Sequence, residues 1–208
     1  MTNTLHRQGT AENLKGDYVL FATSAGGYNR EGCTDKMKEF LRIAMRHQPI
    51  NVRAVGGRPT TIAALEEALA KTPVLTTATV TFDNLAALQA AVIDLVKADL
   101  GISINISGLL EEVSECCRGA GITRHSVEHS LGFRGRTERL PAYPVLEINT
   151  MCGHGLVSFN LIKKVADYVK LDRLTPEKGA EYLARPCVCA AFNTTRAAQL
   201  LRQMRDLG

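Results

Sequence analysis

From Asp17 onward the chain alternates between short continuous apolar runs and longer stretches in which apolar residues return every three or four positions. The run DYVLFAT reads as a strand and ends in SAGGYNREG, whose three glycines mark a loop. TDKMKEFLRIAMRH then places Met37, Phe40, Leu41 and Ala44 at helical spacing, with Thr34 or Asp35 as cap. A short alternating segment, INVRAV, is closed by GGRP, and TTIAALEEALAKT is helical up to Pro73. The clearest unit is TATVTF, DNLAALQAAVIDLVKADL and GISINIS, a strand, a helix and a strand. Its helix carries Leu85, Leu88, Val92, Leu95 and Val96 on one stripe, Asp83 as cap and Gly101 at its end.

The remainder changes character. SGLLEEVSECCRGAG predicts a short helix, and residues 120 to 144 form a polar stretch that is the best candidate boundary. VLEINT reads as a strand, and MCGHG runs directly into the helical pattern LVSFNLIKKVADYVKL. Two further helices follow. TPEKGAEYLA has Thr175 as cap and Pro176 at its first position, and NTTRAAQLLRQMRDL starts on Asn193. Residues 1 to 16 carry only two leucines among polar residues, an arm expected to be ordered only where a surface holds it. The pattern therefore predicts an α/β or α+β fold. A layered sheet of roughly three to five strands with flanking helices would lead into a helical C-terminal region. Residues 17–208 would form one domain, with a candidate subdivision near 120–144 that leaves the later cysteines in the C-terminal part.

Composition narrows the function classes. With 208 residues, 45% hydrophobic and 22% charged, the chain can bury a core. It offers no run of about eighteen uncharged apolar residues for a membrane helix and no apolar leader at its start, so a soluble, cytoplasmic protein is expected. A formal charge of +4 with 5% aromatic residues gives little basis for nucleic-acid binding. The six cysteines at 33, 116, 117, 152, 187 and 189 are more informative. In a cytoplasmic chain they point to core packing, metal ligation or reactive thiols rather than disulfides.

The pairs Cys152-Gly153-His154 and Cys187-Val188-Cys189 carry the most chemistry. Two short donor pairs from separate loops can close on one ion, and three thiolates with one imidazole complete a zinc site. A fourth sulfur, from Cys116 or Cys117, would suit an iron–sulfur cluster instead. Those two residues also fit the apolar stripe of Leu109, Leu110 and Val113, and adjacent side chains diverge by about 100° on a helix. Gly153 and Gly155 suit a tight strand-to-helix turn where backbone approaches a ligand. Both pairs precede helices, whose N-terminal N–H groups favour anionic sulfur. Cys33, before the first helix, could be activated in the same way or be a plain loop cysteine.

Three weaker patterns compete. His125-Ser126-Val127-Glu128-His129 resembles the inverted zinc-peptidase motif H-x-x-E-H, which needs a helix to put both histidines on one face. Arg124, Arg134, Arg136 and Arg139 could dock a phosphate or carboxylate. Glycine loops at Ala25-Gly26-Gly27 and Val55-Gly56-Gly57 match neither a dinucleotide fingerprint nor a P-loop. C-x-H followed by C-x-C resembles a Rieske centre, although no histidine follows Cys187 or Cys189. MCGHG resembles the cysteine motif of proline racemases, whose thiol exchanges a substrate proton; the likeness covers five residues, and RPCVCA lacks that family's glycine-rich second motif.

The leading expectation is a metal- or iron–sulfur-binding protein, redox-active if the metal is iron, with Cys152, His154, Cys187 and Cys189 as the site. It would meet a small molecule or redox partner and leaves self-association open. The alternative is a cysteine-dependent enzyme with Cys152 as nucleophile and His154 or His125 as proton partner. A third reading is a module that binds an anionic small molecule through the arginines and glycine turns.

Overall fold

The computed structural model describes residues 6–52 and 60–206. Its elements in chain order begin with α1 (Ala11–Leu14), β1 (Tyr18–Thr23), α2 (Cys33–Met45), β2 (Asn51–Val52), α3 (Ile62–Ala70), β3 (Thr77–Phe82) and α4 (Leu85–Ala98). They continue with β4 (Ser103–Ser107), α5 (Leu110–Gly119), α6 (Tyr143–Thr150), α7 (Phe159–Lys170), α8 (Pro176–Ala184) and α9 (Thr194–Asp206). The fold is mixed α/β, with a four-stranded antiparallel sheet and a helical C-terminal region. Two compact units divide it, Lys15–His125 and Met1–Leu14 with Ser126–Gly208. Among the described residues no helix is long and apolar enough to cross a membrane. The second half of INVRAV and the glycine loop Val55-Gly56-Gly57 lie outside the described residues.

In the unit Lys15–His125 the strand order is β2-β3-β1-β4. β1 pairs antiparallel with both β3 and β4, Leu20 facing Val80 on one side and Ile106 on the other. β3 and β4 therefore run parallel with β1 between them, and α4 crosses over that intervening strand. Leu20, Ala22, Val80 and Phe82 share a sheet face because side chains alternate along a strand. They join the apolar stripes of α2 (Met37, Phe40, Leu41) and α4 (Leu88, Val92, Leu95) in one buried cluster. Burying each such side chain contributes about 1.5–3 kcal/mol.

The helix starts differ in detail from the sequence reading. Asn84 rather than Asp83 caps α4, accepting from Ala87 N at 2.8 Å. Neither Thr34 nor Asp35 caps α2, which starts at Cys33 behind Gly32. Thr34 Oγ1 instead accepts from Leu75 N at 3.1 Å. Asp99, in the left-handed conformation, closes α4 two residues before Gly101.

The other unit is helical. VLEINT, expected as a strand, is most of α6. Pro144 in the first turn favours the helix, and Val145 and Ile148 meet the core three positions apart. Thr150, a strand former by propensity, satisfies its hydroxyl on Leu146 O at 2.9 Å, a bond only a helix offers. Around α6 pack the apolar faces of α7 (Ile162, Val165, Val169), α8 (Ala180, Leu183) and α9 (Ala197, Leu200, Leu201). Gly179 lets α8 approach closely, since a Cβ there would stand 3.0 Å from both Leu201 and Val165.

The arm is held by its own chain. His6 stacks on Phe133 with ring centroids 6.2 Å apart, and Gln8 N donates to Thr150 Oγ1 at 3.0 Å. Arg196, buried in the first turn of α9, donates from Nη2 to Gln8 O at 2.5 Å and from Nε to Asn13 Oδ1 at 2.6 Å.

Candidate functional site

Two turns of the helical unit carry the four donors. The first follows α6: Cys152 N bonds to Asn149 O and Gly153 N to Thr150 O, so the helix winds down through Cys152. Gly153 (φ 70°) and Gly155 (φ 68°) then reverse the chain in the left-handed region that glycine enters without strain. Asn149 Nδ2 donates to Val157 O at 2.7 Å, which closes the loop before Ser158 caps α7. Cys152 thus sits between two helices, not on the strand-to-helix turn expected from VLEINT. The second turn follows α8, with Cys187 N bonded to Ala184 O and Ala190 at φ 60°. It ends at Asn193, whose Oδ1 accepts from Arg196 N at 2.8 Å and caps α9.

These turns bring the donors together. Cys187 Sγ lies 3.8 Å from Cys189 Sγ, and Cys189 Sγ lies 3.4 Å from His154 Nδ1. Cys152 and Cys187 also share a side-chain hydrogen bond. Backbone N–H groups also converge on the sulfurs, from His154 and Leu156 to Cys152, from Cys189 to Cys187, and from Ala191 to Cys189. All three sulfurs therefore receive an N–H from the residue two positions later in the chain. Cys152 and Cys187 are buried within the apolar cluster, Cys189 is half-buried, and His154 is exposed.

The three thiols do not ionise alike. The hydrogen bond with Cys187, together with burial, pushes the Cys152 thiol far above its usual range. The hydrogen bond with Cys152 lowers the Cys187 thiol, but the bond with Cys189 and burial outweigh this and raise it. Cys189 falls to about 7, because of its hydrogen bond with Cys187, the Ala191 N–H and the charge of Arg7, against an opposing cost of burial. Negative charge is therefore easiest to form at Cys189, at the half-open end of the chain of sulfurs.

Arg7 is the contributor that sequence reasoning missed. Its Nη2 donates to Met151 O at 3.0 Å and also to Ala191 O, carbonyls next to Cys152 and two residues past Cys189. One arginine in a polar arm, 144 positions before Met151, offers no periodic or motif signal.

Other candidates fall elsewhere. Cys116 and Cys117 lie on α5 in the unit Lys15–His125; Cys116 joins that core, where burial pushes its thiol up to about 11. Cys33, also buried, donates to Leu75 O at 3.6 Å. His125, Glu128 and His129 are exposed on chain that is not helical, so H-x-x-E-H has no helix face to share. Arg124, Arg134, Arg136 and Arg139 are all exposed, three of them off any helix and Arg139 in a 3-10 turn.

Among the described residues no three histidine, cysteine or acidic side chains form a ready-made cluster able to hold a metal ion. No protein-family model matches the chain, and comparison with curated proteins and with solved structures finds no significant match.

Proposed function

We propose that the chain binds a transition-metal ion through Cys152, Cys187, Cys189 and His154, with zinc the ion best suited to this donor set. What carries the reading is the spacing of the donors. Zinc bonds of about 2.3 Å to sulfur and 2.0–2.1 Å to nitrogen give tetrahedral edges of about 3.8 Å between sulfurs and about 3.6 Å from sulfur to nitrogen. The Cys187–Cys189 and Cys189–His154 separations of 3.8 and 3.4 Å lie close to those edges. Backbone N–H groups on all three sulfurs add support, since they stabilise thiolates. The metal-free arrangement is not itself a complete site, and the ion would draw the donors into one as the thiols lose their protons. Bound there, the ion would tie the turn after α6 to the turn before α9.

The test is anaerobic purification without chelators, followed by elemental analysis and a visible absorption spectrum. One zinc per chain with no visible band supports the reading, and a coloured protein with iron and sulfide moves the same residues to an iron–sulfur centre. A preparation that holds neither metal, and takes up none when zinc is added, overturns it.

A second reading has one observation in its favour. Cys189 is the most acidic of the three thiols and has an imidazole nitrogen at 3.4 Å, the pairing that activates a cysteine nucleophile. In that reading the nucleophile is Cys189, and fully buried Cys152 stands behind it.

A further inference from the structure

We infer that Arg7 is a positioning residue of the cysteine site, clamping its two turns together from the N-terminal arm. The inference rests on the proposed metal reading for its consequence, while the clamp itself rests on geometry. Met151 O and Ala191 O both accept from Arg7 Nη2, so a side chain from outside both turns joins them beside the Cys189 contacts with Cys152 O and His154. These carbonyls belong to segments 40 positions apart. A single guanidinium nitrogen therefore bridges them.

The arm is itself fixed on the neighbouring residue. Gln8 N donates to Thr150 Oγ1 and Gln8 O accepts from buried Arg196, so Arg7 enters the site from a segment anchored on α6 and α9. The guanidinium charge also acts on Cys189, one of the sulfurs that would lose its proton to a metal. Arg7 thus supplies geometric closure and charge compensation together, as groups behind metal ligands do.

The full-length protein and its Arg7→Ala, Arg7→Lys and Arg7→Gln variants are compared by zinc competition titration, cobalt(II) absorption and amide hydrogen exchange. Zinc affinity should fall about ten- to hundredfold in Arg7→Ala, the usual effect of removing a group behind the ligands. Arg7→Lys should recover part of the loss because it keeps the charge, and Arg7→Gln less. The cobalt(II) thiolate band should shift or broaden in Arg7→Ala, which a general loss of stability would not produce. Exchange at residues 151–155 and 187–191 should quicken in both turns together.

Zinc affinity within twofold of wild type in Arg7→Ala, or unchanged exchange in both turns, overturns the inference. Equal losses in the lysine and glutamine variants overturn the part played by charge. If the wild-type protein binds no metal while both turns loosen in Arg7→Ala, the metal reading fails and the clamp stands.

Discussion

Cys187 and Cys189 hold their sulfurs 3.8 Å apart across a single half-exposed residue, Val188. That separation is far longer than the ~2.05 Å of a disulfide, and it suits two thiols that share a proton or an ion. Val188 faces out while its neighbours turn in, and Ala190 at φ 60° then reverses the chain. The sulfurs are consequently unequal: protons stay on Cys152 and Cys187, and charge gathers on Cys189.

This inequality predicts which thiol reacts first. In metal-free protein, iodoacetamide should modify Cys189 ahead of Cys152 and Cys187. Its rate should rise with pH to a midpoint near 7 and fall about tenfold per pH unit below it, following the thiolate fraction. Cys187→Ala removes the main cause of the lowered value and should move the midpoint upward. Peptide mapping after brief alkylation checks both, and equal labelling of all three cysteines would count against the ordering.

Metal uptake should release protons in a number that the same inequality sets. At pH 8 Cys189 is already largely ionised, whereas Cys152 and Cys187 are protonated, so binding one zinc ion should release about two protons. Calorimetry in buffers of different ionisation enthalpy measures this directly. A release near zero would mean that the two buried thiols are not ligands.

How legible these features were in the sequence depended on whether their cause was local. β1, β3, β4 and α4 follow from apolar period and turn residues, and the Thr175 and Asn193 caps were readable because a cap acts within three residues. VLEINT misled because three of its six residues, Val145, Ile148 and Thr150, favour strands, while its helix is decided by Pro144 before it and by packing against α7 and α9. Cys152, His154, Cys187 and Cys189 stood out through their glycines and close spacing. Arg7 and Arg196 did not, since the bonds that tie the arm down join residues more than 140 positions apart and leave no local pattern.

Arg196 anchors the arm, and its loss should be costly. It is 2% exposed, bonds to Gln8 O and Asn13 Oδ1, and lies 3.8 Å from the Glu147 carboxylate. Arg196→Met removes the anchors and leaves that carboxylate buried without its cation, a change that costs about 3–5 kcal/mol. Adding Glu147→Leu should restore part of this, because it removes the stranded group. Urea unfolding of the single and double variants measures the effect. A loss below about 1 kcal/mol in Arg196→Met would show that the arm's bonds exchange freely for water.

Glu147 gives the helical unit a pH dependence of its own. Burial raises its carboxyl pKa, and the attraction of Arg196 offsets this only in part. The folded chain therefore holds this proton more tightly than the unfolded chain, so the stabilisation is complete below the unfolded carboxyl value of about 4.3. It is lost as pH rises through the higher folded value. Glu147→Gln carries a neutral group at every pH and should escape that loss. Its stability relative to wild type should thus improve on going from about pH 4 to pH 7. Urea midpoints of both proteins across that range measure the difference. Parallel curves, or a difference that grows in the wild type's favour as pH rises, would show that Arg196 holds the carboxylate ionised and that burial is the weaker influence.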